Sequence, residues 1–479
     1  MAAARRIARN TALQLGGNTA ALAASVASLP ILVRYLGVDG YGTYSVATAG
    51  FALLVAGAGS GLDAIAVRTF AADGVDALLF RRLLGLRVAV AGAAASVAVA
   101  LVWSLPSGRG LRLAVTVLGV AALIAAFQAA FAAVLQARQA FGAPVLADLG
   151  CRLGAVAGYA ALGLFVAPWP HDRALRVALV LAASVAAAGV TTTATAWYVR
   201  RHTTAVRPAF DAPTWSLFAR RAAPLGLATV LGIANYRLDI VVLAALKGPH
   251  AAGIYGLAYR FVDASLPLAV FFVGAAFPAF SRTLADGGFR SSHAQRSLDF
   301  LLLASLPLCL GGVAVAPQLV QLFGGADYAG AALPLRLLLL SLPFTFVSMF
   351  LVSLAVASDR QSRVALLTGA AVVANLALNL ALVPRFSASG SAAATLATEV
   401  AGTVALLALA RRWFELRLAF GAGARAAAAA ATAAVAAAIA VRYGVAAAAA
   451  AGVVVYAAGA IVFGAVTVPD LRVLAGRAS

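Results

Sequence analysis

Apolar residues in this chain fall in long unbroken runs, not in short alternating stretches. Fourteen such runs cover roughly 11–35, 41–67, 84–105, 112–135, 143–167, 176–199, 217–245, 251–280, 297–319, 331–357, 364–384, 390–410, 424–441 and 445–468. The breaks between them carry charge, Pro, Gly or aromatic residues. A helix crosses the hydrocarbon core of a bilayer with about 20 apolar residues. A transmembrane barrel would instead show alternating segments of about ten residues. The pattern therefore predicts an all-α polytopic membrane protein with about 14 transmembrane helices. The last two runs are nearly pure Ala and Val, so their ends are the least sharply marked.

Composition agrees and narrows the choice. The 479 residues are 63% hydrophobic and 11% charged, with a net charge of +20. A soluble domain is about a quarter charged and under half apolar. This excludes a soluble enzyme, a secreted disulfide scaffold, a disordered chain and a plain nucleic-acid-binding domain, so no nucleic acid partner is expected. The basic excess reads as topology. With the N-terminus inside and the spans alternating, 24 of the 36 Lys and Arg residues fall on the inner side, nine outside and three (Arg152, Arg237, Arg260) within spans. The positive-inside rule then puts both termini in the cytoplasm and the chain in the cytoplasmic (inner) membrane. Arg5, Arg6 and Arg9 precede a run that reads as a retained first helix.

Catalytic chemistry has little room. The longest predicted loop, about 200–216, holds no domain, and no Walker A sequence occurs. Cys151 and Cys309 sit in apolar runs without CxxC spacing, and the four His residues are scattered through loops. The expectation is a non-enzyme with no catalytic residues, no cofactor and no metal site.

The chain also repeats itself. Gly42-Thr43-Tyr44 and Gly253-Ile254-Tyr255 each follow a short turn, Leu36-Gly37-Val38-Asp39-Gly40 and Leu246-Lys247-Gly248-Pro249. Arg68-Thr69-Phe70-Ala71 returns as Arg282-Thr283-Leu284-Ala285. Six spans separate the copies, so both keep one orientation, as in a parallel repeat. This predicts two parallel six-helix bundles, 1–209 and 210–415, followed by two extra helices and a short cytoplasmic tail over 416–479.

These residues have a family likeness. Asn10, Asn18, Pro30, Arg34-Tyr35-Leu36-Gly37, Tyr41-Gly42 and Tyr44 resemble the opening of a Wzx-type polysaccharide flippase of the multidrug/oligosaccharidyl-lipid/polysaccharide exporter superfamily. So do Arg237-Leu238-Asp239-Ile240, Gly253-Ile254-Tyr255 and Ala258-Tyr259-Arg260. Asn375, Asn379, Val383-Pro384-Arg385-Phe386, Gly390-Ser391-Ala392-Ala393-Ala394-Thr395 and Glu399 resemble the family's Asn-rich span and the helix start after it. The likeness covers spans one to twelve. It implies alternating-access movement of an undecaprenyl-diphosphate-linked glycan for O-antigen or exopolysaccharide synthesis. Membrane lipids, a polysaccharide polymerase and glycosyltransferases would be its neighbours. Multidrug cation antiport is the alternative within the superfamily.

Ionisable groups at bilayer depth are costly unless paired or wet. Arg260 lies near the middle of span eight with Asp263 one turn on, and Asp239 and Arg237 lie at matching depth on span seven. They read either as a cationic wall for a diphosphate or as self-neutralised structural pairs. Arg152, with Asp148 one turn before it, poses the same choice and could also snorkel. Glu399 is a candidate coupling acid or a hydrogen-bonded structural one. Asp63 and Arg68 suggest an interfacial cap or gate. Asn375 and Asn379, at i and i+4, share a helix face and suggest either interhelical hydrogen bonds or a sugar-reading lining.

Overall fold

The computed structural model describes residues 2–73, 76–138, 142–165, 172–202, 207–285, 291–414, 419 and 421–465. Among these there are eleven α-helices and two short 3-10 turns, Ala326–Ala331 and Val441–Tyr443. The α-helices are α1 (Ala2–Asp73), α2 (Ala77–Ser104), α3 (Arg109–Ala137), α4 (Gly142–Phe165), α5 (Arg173–His202), α6 (Ala212–Ala285), α7 (Ser291–Gly324), α8 (Ala332–Ala357), α9 (Gln361–Phe414), α10 (Gly421–Ala440) and α11 (Val445–Val462).

Three of these helices are two spans joined through one non-helical residue. α1 breaks at Gly37 (φ 67, ψ 176), α6 at Gly248 (φ 78, ψ −177) and α9 at Ser387 (φ 51, ψ −130). Eleven helices with three internal breaks make the fourteen spans that the apolar runs predict. All eleven are long and apolar enough to cross a membrane. Large apolar side chains such as Leu164, Val190, Leu366 and Val462 face outward at 71–80% exposure, as lipid-facing positions do.

The helices outrun the apolar runs at their charged ends. α2 begins at Ala77, where the Asp76 carboxylate accepts from the Leu79 amide at 2.8 Å. An N-cap of this kind fixes the first turn, Ala77-Leu78-Leu79-Phe80, ahead of the Arg81-Arg82 pair. Trp side chains mark other helix ends. Arg112 lies 5.5 Å from the Trp103 ring, Arg201 4.0 Å from Trp197, and Arg360 5.3 Å from Trp413. Such amphipathic pairs suit a membrane interface.

The chain divides into two compact units, Met1–Gly253 and Ile254–Ser479. In the first, Phe70, Phe80, Leu83, Leu84, Phe131 and Val134 form a closed apolar cluster at the start of α2. In the second, the Ala-rich helices show why Ala suffices. Ala426, Ala429, Ala430, Ala433 and Ala437 form the buried stripe of α10. A Cβ on Gly459 of α11 would sit 3.3 Å from Ala429, so these helices approach almost backbone to backbone. Van der Waals packing of small residues is what holds such a pair in lipid.

Candidate functional site

The first unit contains a cavity of about 540 Å³ between the second span of α1, α2 and α3. Its walls are Val, Leu, Phe, Ala and Gly, with Arg87 and Ser107 the polar exceptions. Arg87 lies ten residues beyond Ala77, about 15 Å along the α2 axis, and is 3% exposed. The apolar run places it in the first turn of a span opening at residue 84, among the inner-side cations. α2 starts seven residues before that run, so more than two helical turns precede Arg87, and its side chain is buried. The sequence carried one clue: no other charge lies between Arg82 and Arg109.

At the start of α2 lies the apolar cluster, where Phe80 packs 6.4 Å from both Phe70 and Phe131. The segment before α6 is clamped across the start of α2. Arg82 pairs with Asp211 at 3.0 Å, and the Ala209 amide donates to the Arg81 carbonyl at 2.8 Å.

The helix breaks of α1 and α6 meet in the same unit. A Cβ on Gly42 would strike the Pro249 carbonyl, and a Cβ on Gly253 would strike the Val38 carbonyl. The contact is reciprocal because Gly42 and Gly253, like Val38 and Pro249, stand 211 residues apart. Asp39 adds a charged clasp, accepting from His250 at 2.9 Å and from Arg173 at 2.6 Å.

The residues singled out by sequence are distributed as follows. Arg152 donates to Asp148 at 2.9 Å and to Ser25 at 2.7 Å, tying α4 to α1, and is about half exposed. Asp239 is 1% exposed, and Arg237 is half-buried. Arg260 and Asp263 stand 4.0 Å apart on α6 in the second unit. The expected Asp239–Arg260 pairing joins residues of different units and remains an expectation. Arg68 is exposed, and the side chain of Asp63 lies outside the described residues.

Asn375 and Asn379 are 3% and 0% exposed. Asn375 donates to Thr398 at 3.4 Å. Asn379 donates to the Asn375 side-chain carbonyl at 3.0 Å and accepts from Ser391 at 2.7 Å. The Tyr255 hydroxyl reaches Thr395 at 3.2 Å, and Thr345 donates to Glu399 at 3.0 Å. Ser348 and Thr403 meet at 2.7 Å beside them. The spacing of the Asn pair was visible in the sequence. Their partners across the α9 reversal, and the Thr345–Glu399 bond across 54 residues, were not.

The fold is shared with solved exporters. The lipid II flippase MurJ in an inward closed conformation matches with a TM-score of 0.75 at 13% identity, over 95% of this chain and 98% of that one. An inward-facing multidrug resistance MATE transporter matches with a TM-score of 0.67 at 13% identity, over 82% and 94%. A transporter of the same superfamily from Pyrococcus furiosus, described as having a binding pocket of reversed polarity, matches with a TM-score of 0.59 at 13% identity, over 86% and 95%. No curated protein sequence matches. The polysaccharide biosynthesis protein family model matches residues 7–284, more than half of the chain. By that match, a multi-pass membrane protein with an exporter fold belongs to the polysaccharide biosynthesis protein family.

Proposed function

We propose that the chain is a flippase that moves an undecaprenyl-diphosphate-linked oligosaccharide across the cytoplasmic membrane for polysaccharide synthesis. The family match over residues 7–284 carries this reading, and a fold shared with a lipid II flippase supports it. Two bundles, 1–209 and 210–415, rock about the substrate, with 416–479 as an appendix and both termini in the cytoplasm. Arg237 and Arg260, aided by Arg152, replace the lost hydration of the diphosphate, since a guanidinium fork matches phosphate oxygens. Asn375 and Asn379 serve as glue between the two spans of α9, a reading supported by their bonds to Thr398 and Ser391 across its turn. Asp239, Asp263 and Glu399 are the acids available for coupling to a gradient, and Asp63 and Arg68 sit at the inner gate. Glycosyltransferases supply the substrate, and a polymerase consumes the product.

One observation favours the rival reading, export of a cationic drug. Asp239 is an acid at 1% exposure in an exporter fold that also matches a multidrug transporter. A gene deletion separates the two. Flippase function requires undecaprenyl-diphosphate-linked glycan to accumulate facing the cytoplasm and surface polymer to disappear. Unchanged polymer with new sensitivity to cationic dyes would establish the antiporter. Within the flippase reading, Arg260→Ala abolishes export at normal protein level. Full export by that variant removes Arg260 from the site.

A further inference from the structure

We propose that the groove between α1, α2 and α3 binds the polyprenyl phosphate carrier in its glycan-free form. The hydrocarbon chain lies along the groove and the phosphate meets Arg87. The inference rests on the flippase reading for its lipid class and adds a second site to it.

Three observations carry it. The first is polarity. About 540 Å³ of space, within the roughly 300–1,000 Å³ of a small-molecule site, is walled by hydrocarbon and carries one cation. An apolar channel that bears a single guanidinium is complementary to a long chain with one anionic end. A guanidinium has five N–H donors in a fork, so a bond to a neighbour leaves others for phosphate oxygens.

The second is length. From Arg87 to Ser104 the groove follows α2 for about 25 Å and ends at Leu105, just past the helix. One leaflet offers about half of a 30 Å hydrocarbon core, so an ordinary acyl chain fills roughly half of this groove. A polyprenyl chain fills all of it. Entry is lateral, because Val97, Leu101 and Leu105 along the rim are 65%, 57% and 49% exposed.

The third is the burial of the cation. Arg87 is 3% exposed and lies one turn beyond Leu83 and Leu84, which are 1% and 0% exposed. An oligosaccharide beyond the phosphate would need water or polar partners for its hydroxyls, and a hydrocarbon wall around a 3%-exposed arginine offers neither. The site therefore selects the carrier after its glycan has been removed. The reaction that leaves such a lipid is glycan transfer from the diphosphate followed by loss of one phosphate.

The test uses the purified full-length protein and undecaprenyl phosphate carrying a photoactivatable group in its chain, with labelled peptides identified by mass spectrometry. The expected label falls on α2 and α3. Ala98→Trp, which fills the groove, lowers labelling by about tenfold, the equivalent of excluding two buried methylenes. Arg87→Gln lowers labelling by undecaprenyl phosphate by a similar factor and leaves labelling by undecaprenol unchanged. Equal labelling of wild type and Ala98→Trp, with the label elsewhere, overturns the groove and leaves the flippase reading intact. Displacement by phosphatidylglycerol as effective as by unlabelled undecaprenyl phosphate assigns the groove to ordinary phospholipid and overturns the proposal. Failure of the wild-type protein to take any polyprenyl lipid, glycan-linked or not, overturns both.

Discussion

Two regions reverse a long helix by opposite means. In the first unit, Gly37 and Gly248 turn α1 and α6, and the two turns lock through backbone: Gly42 against the Pro249 carbonyl, Gly253 against the Val38 carbonyl. In the second unit, Ser387 turns α9, and side chains hold the reversal: Asn379 to Ser391 and Asn375 to Thr398. In lipid, neither close packing nor hydrogen bonding has water to compete with, so either can seat a turn. The glycine contact leaves no space to adjust. The amide network has redundant bonds, and its loss can be shared. The difference predicts how each region fails.

The largest effect falls on the glycine pair. Gly42→Leu drives a side chain into a backbone carbonyl that no rotamer can avoid. It costs about 3 kcal/mol, the upper end for overpacking, and is read as a lowered Tm and poor recovery of folded protein in detergent. Gly253→Leu does the same. Because the contact is reciprocal, the double variant falls well short of the sum of the two. Additive losses would show that the two turns are seated independently.

Next comes the amide network. Asn379→Leu removes the acceptor for the buried Ser391 hydroxyl and one bond to Asn375, costing about 1–2 kcal/mol. A double-mutant cycle with Ser391→Ala isolates the pair at about 0.6 kcal/mol, typical of hydrogen bonds between membrane helices. Transport of glycan, if it persists in Asn379→Leu, assigns the pair to structure. Loss of transport without loss of Tm would restore it to the sugar-contacting lining.

The contrast also separates what could be seen in the sequence from what could not. The fourteen spans were legible because lipid demands about 20 apolar residues each and charged ends punctuate them. The glycine turns were legible as a repeat, since Leu36-Gly37 and Leu246-Lys247-Gly248 precede matching Gly-x-Tyr motifs. Asp148 and Arg152 announced their pairing through i,i+4 spacing, whereas the Ser25 partner, 127 residues away, could not be read. The burial of Arg87 could not be read, because hydropathy marks where lipid contact begins, not where a helix begins or which of its faces is packed. The Arg81-Arg82 pair interrupts the apolar run just after Ala77-Leu78-Leu79-Phe80, so the helix start at Ala77 escaped the pattern.

The smallest prediction tests the turns themselves. Gly37 and Gly248 adopt positive φ without cost, because no Cβ meets the preceding carbonyl. Ser387 adopts φ 51, ψ −130 with a Cβ, in a region populated mainly by glycine. The amide network must therefore hold Ser387 against about 1 kcal/mol or more of backbone strain. Ser387→Gly relieves that strain but gives the unfolded chain more freedom, which takes back a few tenths to 1 kcal/mol. The net gain is a fraction of a kcal/mol, visible as a small rise in Tm. The mirror change, Gly37→Ser, lowers Tm by more, since it adds strain at a turn already seated by a tight backbone contact that leaves no space to adjust. A fall in Tm for Ser387→Gly would mean that the serine side chain contributes bonds worth more than its strain, and that both reversals depend on contacts made at the turning residue.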